Sequence, residues 1–137
     1  MPVGTALRVR LPNRPGELAR VAGQLGNAGV NIQSVAGVVS DDEGVVELMA
    51  DDLDRAAAVL QDAGVSVQRV QVLVQPVSER FASTPGTLAQ AAGALAAEGI
   101  NIESIYLLPG GPTGVQVVLG CDRPERAEQL VSPMAMA

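Results

Sequence analysis

Residues 15–34 read PGELARVAGQLGNAGVNIQS, and residues 85–104 read PGTLAQAAGALAAEGINIES. Eleven of these twenty positions are identical at a constant offset of 70 residues. Chance matches in an Ala- and Gly-rich chain do not put Pro15-Gly16 on Pro85-Gly86 and Asn31-Ile32 on Asn101-Ile102 in one register. Self-similarity at a fixed period marks a repeated structural unit. Outward from this core, Gly44-Val45 recurs as Gly114-Val115, and Ala57 and Leu60 recur as Ala127 and Leu130, without a gap. The chain therefore reads as two repeats, 1–73 and 74–137.

Hydrophobic period assigns the elements. Thr5 to Leu11 alternates, with Leu7, Val9 and Leu11 on one side and Arg8 and Arg10 on the other, the pattern of a half-buried strand. Asn13-Arg14-Pro15-Gly16 breaks it. Glu17 to Ala28 carries Leu18, Val21, Ala22 and Leu25 at helical spacing, with Glu17 in the first turn and Gly29 as the stop. Asn31 to Val39 and Glu43 to Ala50 read as a hairpin around the acidic run 41–43, a solvated turn rather than a cation site. Asp51 or Asp52 caps a second helix ending at Gly64, and Val65 to Leu73 is the fourth strand. The second repeat follows with Val74 to Arg80 as strand and Thr87 to Glu98 as helix. Its hairpin is Asn101 to Leu108 and Gly114 to Leu119, and a helix runs from Asp122, its N-cap, to Val131. The order is β-α-β-β-α-β, an α+β, ferredoxin-like unit in tandem, with antiparallel sheets and helices on one face. The tail after Val131 is too short and too poor in strand formers to copy Val65 to Leu73, so the second unit is expected to lack its last strand. Asn31 to Val39 is apolar on both faces, which predicts that an edge or the helix-free face packs on another subunit.

Composition narrows the chemistry. Of 137 residues 47% are apolar, yet Phe81 and Tyr106 are the only aromatics, so the interior is Val, Leu, Ile and Ala. All nine cations are Arg and the net charge is −6. An acidic chain without a basic run or stacking aromatics argues against nucleic acid, and against anionic lipid. There is no His, and Cys121 is the single cysteine. No disulfide framework, metal cluster or cofactor is expected, and a thiol without basic neighbours is no nucleophile. No stretch approaches 18 apolar residues, and the start lacks a signal-peptide pattern. A cytoplasmic protein is expected. Pro109-Gly110-Gly111-Pro112 has no following Lys and is a hairpin loop rather than a phosphate loop.

Asn13-Arg14-Pro15-Gly16-Glu17-Leu18 closing a strand and opening a helix, followed by Gly29-Val30-Asn31-Ile32 opening the next strand, resembles the ACT domain family of small amino-acid-binding regulatory modules. Ser83-Thr84-Pro85-Gly86-Thr87-Leu88 with Gly99-Ile100-Asn101-Ile102 resembles it again. Together the copies cover nearly the whole chain. The nearest likeness is to short proteins of two tandem ACT repeats, similar to acetolactate synthase regulatory subunits. The resemblance implies paired sheets and an effector held where the strand-to-helix loop of one unit meets a strand of its neighbour.

The residue chemistry agrees with an amino acid as ligand. A helix start offers N–H groups and a positive dipole end to a carboxylate. Gly16 permits close approach, Pro15 stiffens the turn, and Asn13 donates or accepts. Arg14 belongs to the same loop. Asn31 and Ile32 open the facing strand, and Leu18 borders the side-chain pocket. The second set is Ser83, Thr84, Pro85, Gly86, Leu88, Asn101 and Ile102. Ser83 replaces Asn13 and reaches less far, so the first copy is expected to be the better site, and the alternative for Ser83-Thr84 is a helix cap alone. Each set has a plain structural alternative in turn geometry, strand junction and core packing.

Three functions fit the sequence. The first is a non-catalytic regulator binding a small amino acid, branched-chain by preference because aromatics are scarce, with binding changing association with a partner enzyme. It implies a homodimer or higher oligomer. The second is a structural oligomerisation module without a ligand. The third is hydrolysis of acyl phosphates by Arg14 and Asn31, which lacks a general base.

Overall fold

The structure, a computed structural model, describes residues 3–137; Met1 and Pro2, the start of the expected first repeat, lie outside the described residues. The elements are β1 (Val3–Pro12), α1 (Glu17–Asn27), β2 (Ile32–Ser40), β3 (Glu43–Ala50), α2 (Leu53–Asp62) and β4 (Ser66–Pro76). They continue with α3 (Glu79–Ser83), α4 (Thr87–Ala97), β5 (Ile102–Pro109), β6 (Val115–Cys121) and α5 (Pro124–Ala135). The chain divides into two compact units, Thr5–Val70 and Gln71–Ala137, the latter grouping with residues 3 and 4. The division falls inside β4.

In the first unit the strand order is β2-β3-β1-β4. The antiparallel register pairs Leu7 with Leu48, Val9 with Val46 and Leu11 with Gly44. The next pairing sets Leu48 beside Val35 and Val46 beside Gly37. These rows face the helices. Leu7, Val9, Leu11, Val21, Leu25, Leu48, Ala56 and Leu60 form one buried core, the side predicted by the alternation in β1 and the stripes of α1 and α2. Arg8 and Arg10 lie on the opposite face, paired with Glu47 (3.0 Å) and Glu43 (2.7 Å). Asp52 caps α2 by accepting from the Arg55 N–H.

In the second unit the order is β4-β6-β5. Its core gathers Leu73, Val77, Leu95, Ile100, Leu119, Ala127 and Val131. The internal symmetry extends to detail. Both edge strands are irregular at the same repeat position, between Ile32 and Ser34 and between Ile102 and Ser104. Arg55 donates to the Ala28 carbonyl at the end of α1 (2.7 Å), and Arg123 donates to the Glu98 carbonyl at the end of α4 (2.6 Å). A cation suits a helix C-terminus, where carbonyls lack intrahelical donors.

Four expectations need correction. Val65 to Leu73 and Val74 to Arg80 are not two strands: β4 runs unbroken to Pro76, and Arg80 lies in α3. Ser78 sets that change by capping α3, its hydroxyl accepting from the Phe81 N–H. Ser83 and Thr84 do not cap α4. The Ser83 hydroxyl donates to the Glu79 carbonyl within α3, and α4 starts at Gly86 with no side-chain cap. The last helix begins after Arg123 rather than Asp122 and continues past Val131 to Ala135, carrying Pro133 near its end. The repeat is also not gapless. Leu73 pairs with Leu119 and Gln75 with Val117, so these residues take the places of Leu7 and Val9. From Val9 to Gly16, and from Gln75 to Gly86, the second segment is four residues longer, and α3 fills the difference.

Candidate functional site

Each unit has a cavity on its helix-facing side, where the strand-to-helix loop meets the edge strand. In the first unit the loop leaves β1 at Pro12 and is tied to the β2–β3 turn. The Asn13 N–H donates to the Asp42 carbonyl (2.8 Å) and the Asn13 Nδ2 donates to the Asp41 carbonyl (3.0 Å). Asp41 itself adopts a positive φ of 56°, which Asp tolerates in a turn. Gly16 then turns the chain into α1 with φ 88°, a left-handed conformation suited to glycine. Its carbonyl accepts from the Arg20 N–H, while no side chain caps α1. The first-turn N–H groups are therefore left for solvent or a ligand.

The cavity beside this loop measures about 400 Å³ and is lined by Leu11, Pro12, Asn13, Arg14, Glu17, Leu18, Val35, Gly37, Val38, Val39, Gly44 and Val46. Its charged members are organised. Glu17 accepts from Arg14 (2.8 Å) and from Arg20 (3.0 Å), which hold its carboxyl below the usual carboxylate range, the Arg14 hydrogen bond contributing most. Apolar Leu18, Val35, Val38 and Val39 stand exposed around the opening. The structure thus brings Asn13, Arg14 and Leu18 together on one cavity and places Pro15 and Gly16 in the loop beside it. Asn31 and Ile32 do not line it. The Asn31 N–H donates to the Asp51 carboxylate, and Ile32 packs on the core.

In the second unit the cavity is larger, about 500 Å³, and almost wholly apolar. Leu73, Gln75 and Val77 of β4 and its continuation, Val115, Val117 and Leu119 of β6, and Ile105, Tyr106 and Leu107 of β5 line its sheet side. Phe81, Ala82, Thr87, Leu88, Ala91, Val131 and Ala135 line the helix side. The Thr87 hydroxyl contacts the Phe81 and Thr84 carbonyls (2.7 and 3.2 Å), fastening α3 to the start of α4. Of the second candidate set only Leu88 lines the cavity. Ser83, Thr84, Pro85 and Gly86 form the approach to α4, and Ile102 packs on the core with Asn101 exposed before it.

Sequence reasoning missed Gln75, Phe81 and Thr87. The signals were present: Ser78-Glu79 is a helix-start pair, Phe81 is one of two aromatics, and Gln75 interrupts the apolar alternation of Leu73 and Val77. Among the described residues no three His, Cys, Asp or Glu side chains gather to hold a metal ion, and no helix is long and apolar enough to cross a membrane.

Two ferredoxin-like units in tandem, each with a cavity between a glycine-turned helix start and an edge strand, define the class of architecture. A family model described as an ACT domain pair matches residues 3–135, and the chain belongs to that family. Among solved structures, a protein from Bacteroides thetaiotaomicron is 25% identical with a TM-score of 0.76, over 96% of this chain and 88% of that one. The ligand-free regulatory subunit of aspartate kinase from Thermus thermophilus is 20% identical with a TM-score of 0.65, over 98% and 97%. The corresponding subunit from Thermus flavus is 19% identical with a TM-score of 0.61, over the same shares. At such identities the two subunits bear on the fold alone. No curated protein matches the chain.

Proposed function

We propose that this protein is a non-catalytic regulator whose first repeat binds a small amino acid, and that binding changes its association with a partner. The observation that carries the reading is the first-unit cavity, which sets opposite charges beside an apolar wall. An amino-acid carboxylate suits Arg14 and the uncapped first turn of α1. The Asn13 Nδ2 is engaged with Asp41, so its Oδ1 and the Glu17 carboxylate are the acceptors for an ammonium. Leu11, Leu18, Val35, Val39 and Val46 supply a wall without aromatics, which favours a branched aliphatic side chain. Exposed Val35, Val38 and Val39 on edge strand β2 favour self-association, because an apolar edge is a template for pairing. The two Thermus proteins of like fold are each a regulatory subunit of aspartate kinase, which suits a partner enzyme here.

A second reading, an association module without a ligand, draws on the same charges. Glu17 is already paired with both Arg14 and Arg20, so a ligand must displace an existing ion pair. A thermal-shift screen against the twenty amino acids separates the two. A ligand bound only by the folded state adds about 2.7 kcal/mol at a hundredfold excess over its dissociation constant. A shift for an aliphatic amino acid that Arg14→Ala removes supports the sensor. Arg14 is preferable to Asn13 for the test because Asn13 also ties the loop to the hairpin. No shift for any amino acid, with self-association intact by sedimentation, supports the ligand-free module.

A further inference from the structure

The second unit's cavity differs from the first in kind. Among the described residues no Arg, Asp or Glu lines it. A zwitterion seated on its apolar floor would find no countercharge for its ammonium or carboxylate among the lining residues, which is unfavourable. The volume, about 500 Å³, falls within the range of about 300–1,000 Å³ typical of small-molecule sites.

Three polar side chains line it: Thr87 is engaged with the carbonyls between α3 and α4, Tyr106 belongs to edge strand β5, and Gln75 stands on the floor. Gln75 is 3% exposed and lines the cavity among Leu73, Val117 and Leu107. Its Nε2 donates to the Pro76 carbonyl at 2.7 Å. A carbonyl only accepts, so that contact fixes which end of the amide points to Pro76. The Oε1 is left without a donor among the described residues. The oxygen can therefore be reached from the cavity, and this acceptor stands where the first unit has a valine.

We infer that the second unit holds a second ligand class: an uncharged, apolar small molecule with one hydrogen-bond donor, such as an alcohol or a primary amide, directed at Gln75 Oε1. The donor satisfies the amide, and the apolar body fills the space between β6, α3 and α4. This site is independent of the amino-acid cleft of the first unit and stands whether or not that cleft binds.

The test titrates the full, isotope-labelled chain with octan-1-ol. Heptyl methyl ether, of equal heavy-atom count but without a donor, octanoate and leucine serve as comparators. Octan-1-ol is expected to move the amide resonances of Leu73, Gln75, Val117 and Leu119. The ether should bind about three- to tenfold more weakly, the worth of one net hydrogen bond, and octanoate more weakly than the alcohol. In Gln75→Leu, alcohol and ether should bind alike; in Ala91→Phe, which fills the cavity, neither should bind. The inference is overturned if octan-1-ol leaves those resonances unmoved. It is equally overturned if the alcohol's advantage survives in Gln75→Leu, if leucine moves the same resonances as strongly, or if they respond only to protein concentration, the mark of a second copy seated on the cavity. Failure of the amino-acid reading would show elsewhere, as unmoved resonances of Arg14 and Leu18 under leucine.

Discussion

Gln75 occupies in the second unit the place that Val9 holds in the first. Val9 pairs with Val46, which pairs with Gly37; Gln75 pairs with Val117, which pairs with Leu107. Val9 and Gln75 are both buried. One row is thus wholly apolar and ends in a glycine, while the other carries an amide and ends in a leucine. Two copies of one fold have been given cavities of different chemistry through equivalent positions.

Adding an amide at one position and removing it at the other should therefore have opposite consequences. Val9→Gln buries an amide among Val46, Leu25 and neighbouring aliphatics and should destabilise the chain by about 1–3 kcal/mol. Gln75→Leu removes a half-satisfied amide at similar volume and should leave the urea midpoint unchanged or higher. Equilibrium urea unfolding of the two variants decides. Loss of stability in Gln75→Leu comparable to that in Val9→Gln would show that the amide is fully satisfied in the native state.

The elements that were legible in the sequence are those whose periodicity runs for two turns or more. α1 and α4 are announced by apolar stripes and by the glycines after them, and β1 by its alternation with Arg8 and Arg10. The segment between β4 and α4 was not legible. Val72 to Val77 is apolar at nearly every position, so nothing marks where one repeat's last strand yields to the next repeat's first. α3 has five residues, too few to show a helical period, and is held by the Ser78 cap and the Thr87 hydroxyl, contacts made across the loop. The loop residues of the first cavity were legible through Asn13, Arg14 and Leu18. The floor of the second was hidden because its polar member sits in a strand and depends on a register that the gapless repeat misplaces.

Gly16 tests the helix-start geometry alone. A Cβ built there meets nothing within 4 Å, so Gly16→Ala introduces no clash. The φ of 88° remains, and an L side chain in the left-handed region costs about 1–2 kcal/mol. The expected result is a fall in unfolding free energy of that size. Gly86→Ala, with φ 90° and equally open surroundings, should match it. Wild-type stability in both variants would mean that the loops relax out of the left-handed turn without loss.

Cys121 should be inert until the chain opens. It is buried at the end of β6, and burial pushes its thiol above the usual range. The thiolate is the reactive form, so labelling by an aromatic disulfide near neutral pH should be slow in the folded protein. Its rate should rise with urea along the unfolding curve rather than before it. Rapid labelling without denaturant would place the thiol in a locally open region.

Glu17 offers a test of the first cavity that needs no ligand. Arg14 and Arg20 lower its pKa on folding, so the ion pairs stabilise the native state fully above the unfolded carboxylate value, about 4.3, and lose that effect as pH falls through the lower folded value. In a carbon-detected titration, the Glu17 midpoint should lie below those of solvent-exposed glutamates. Arg14→Ala should raise it towards them, because the Arg14 hydrogen bond is the largest contribution. The stability difference between wild type and Arg14→Ala should be present near about pH 7 and vanish once Glu17 is protonated in both. A difference that persists unchanged into strong acid would assign the role of Arg14 to packing of its aliphatic stem over the loop. In that case the side chain would be an uncommitted cation at the mouth of the cavity, and an amino-acid carboxylate would meet it without first breaking an ion pair.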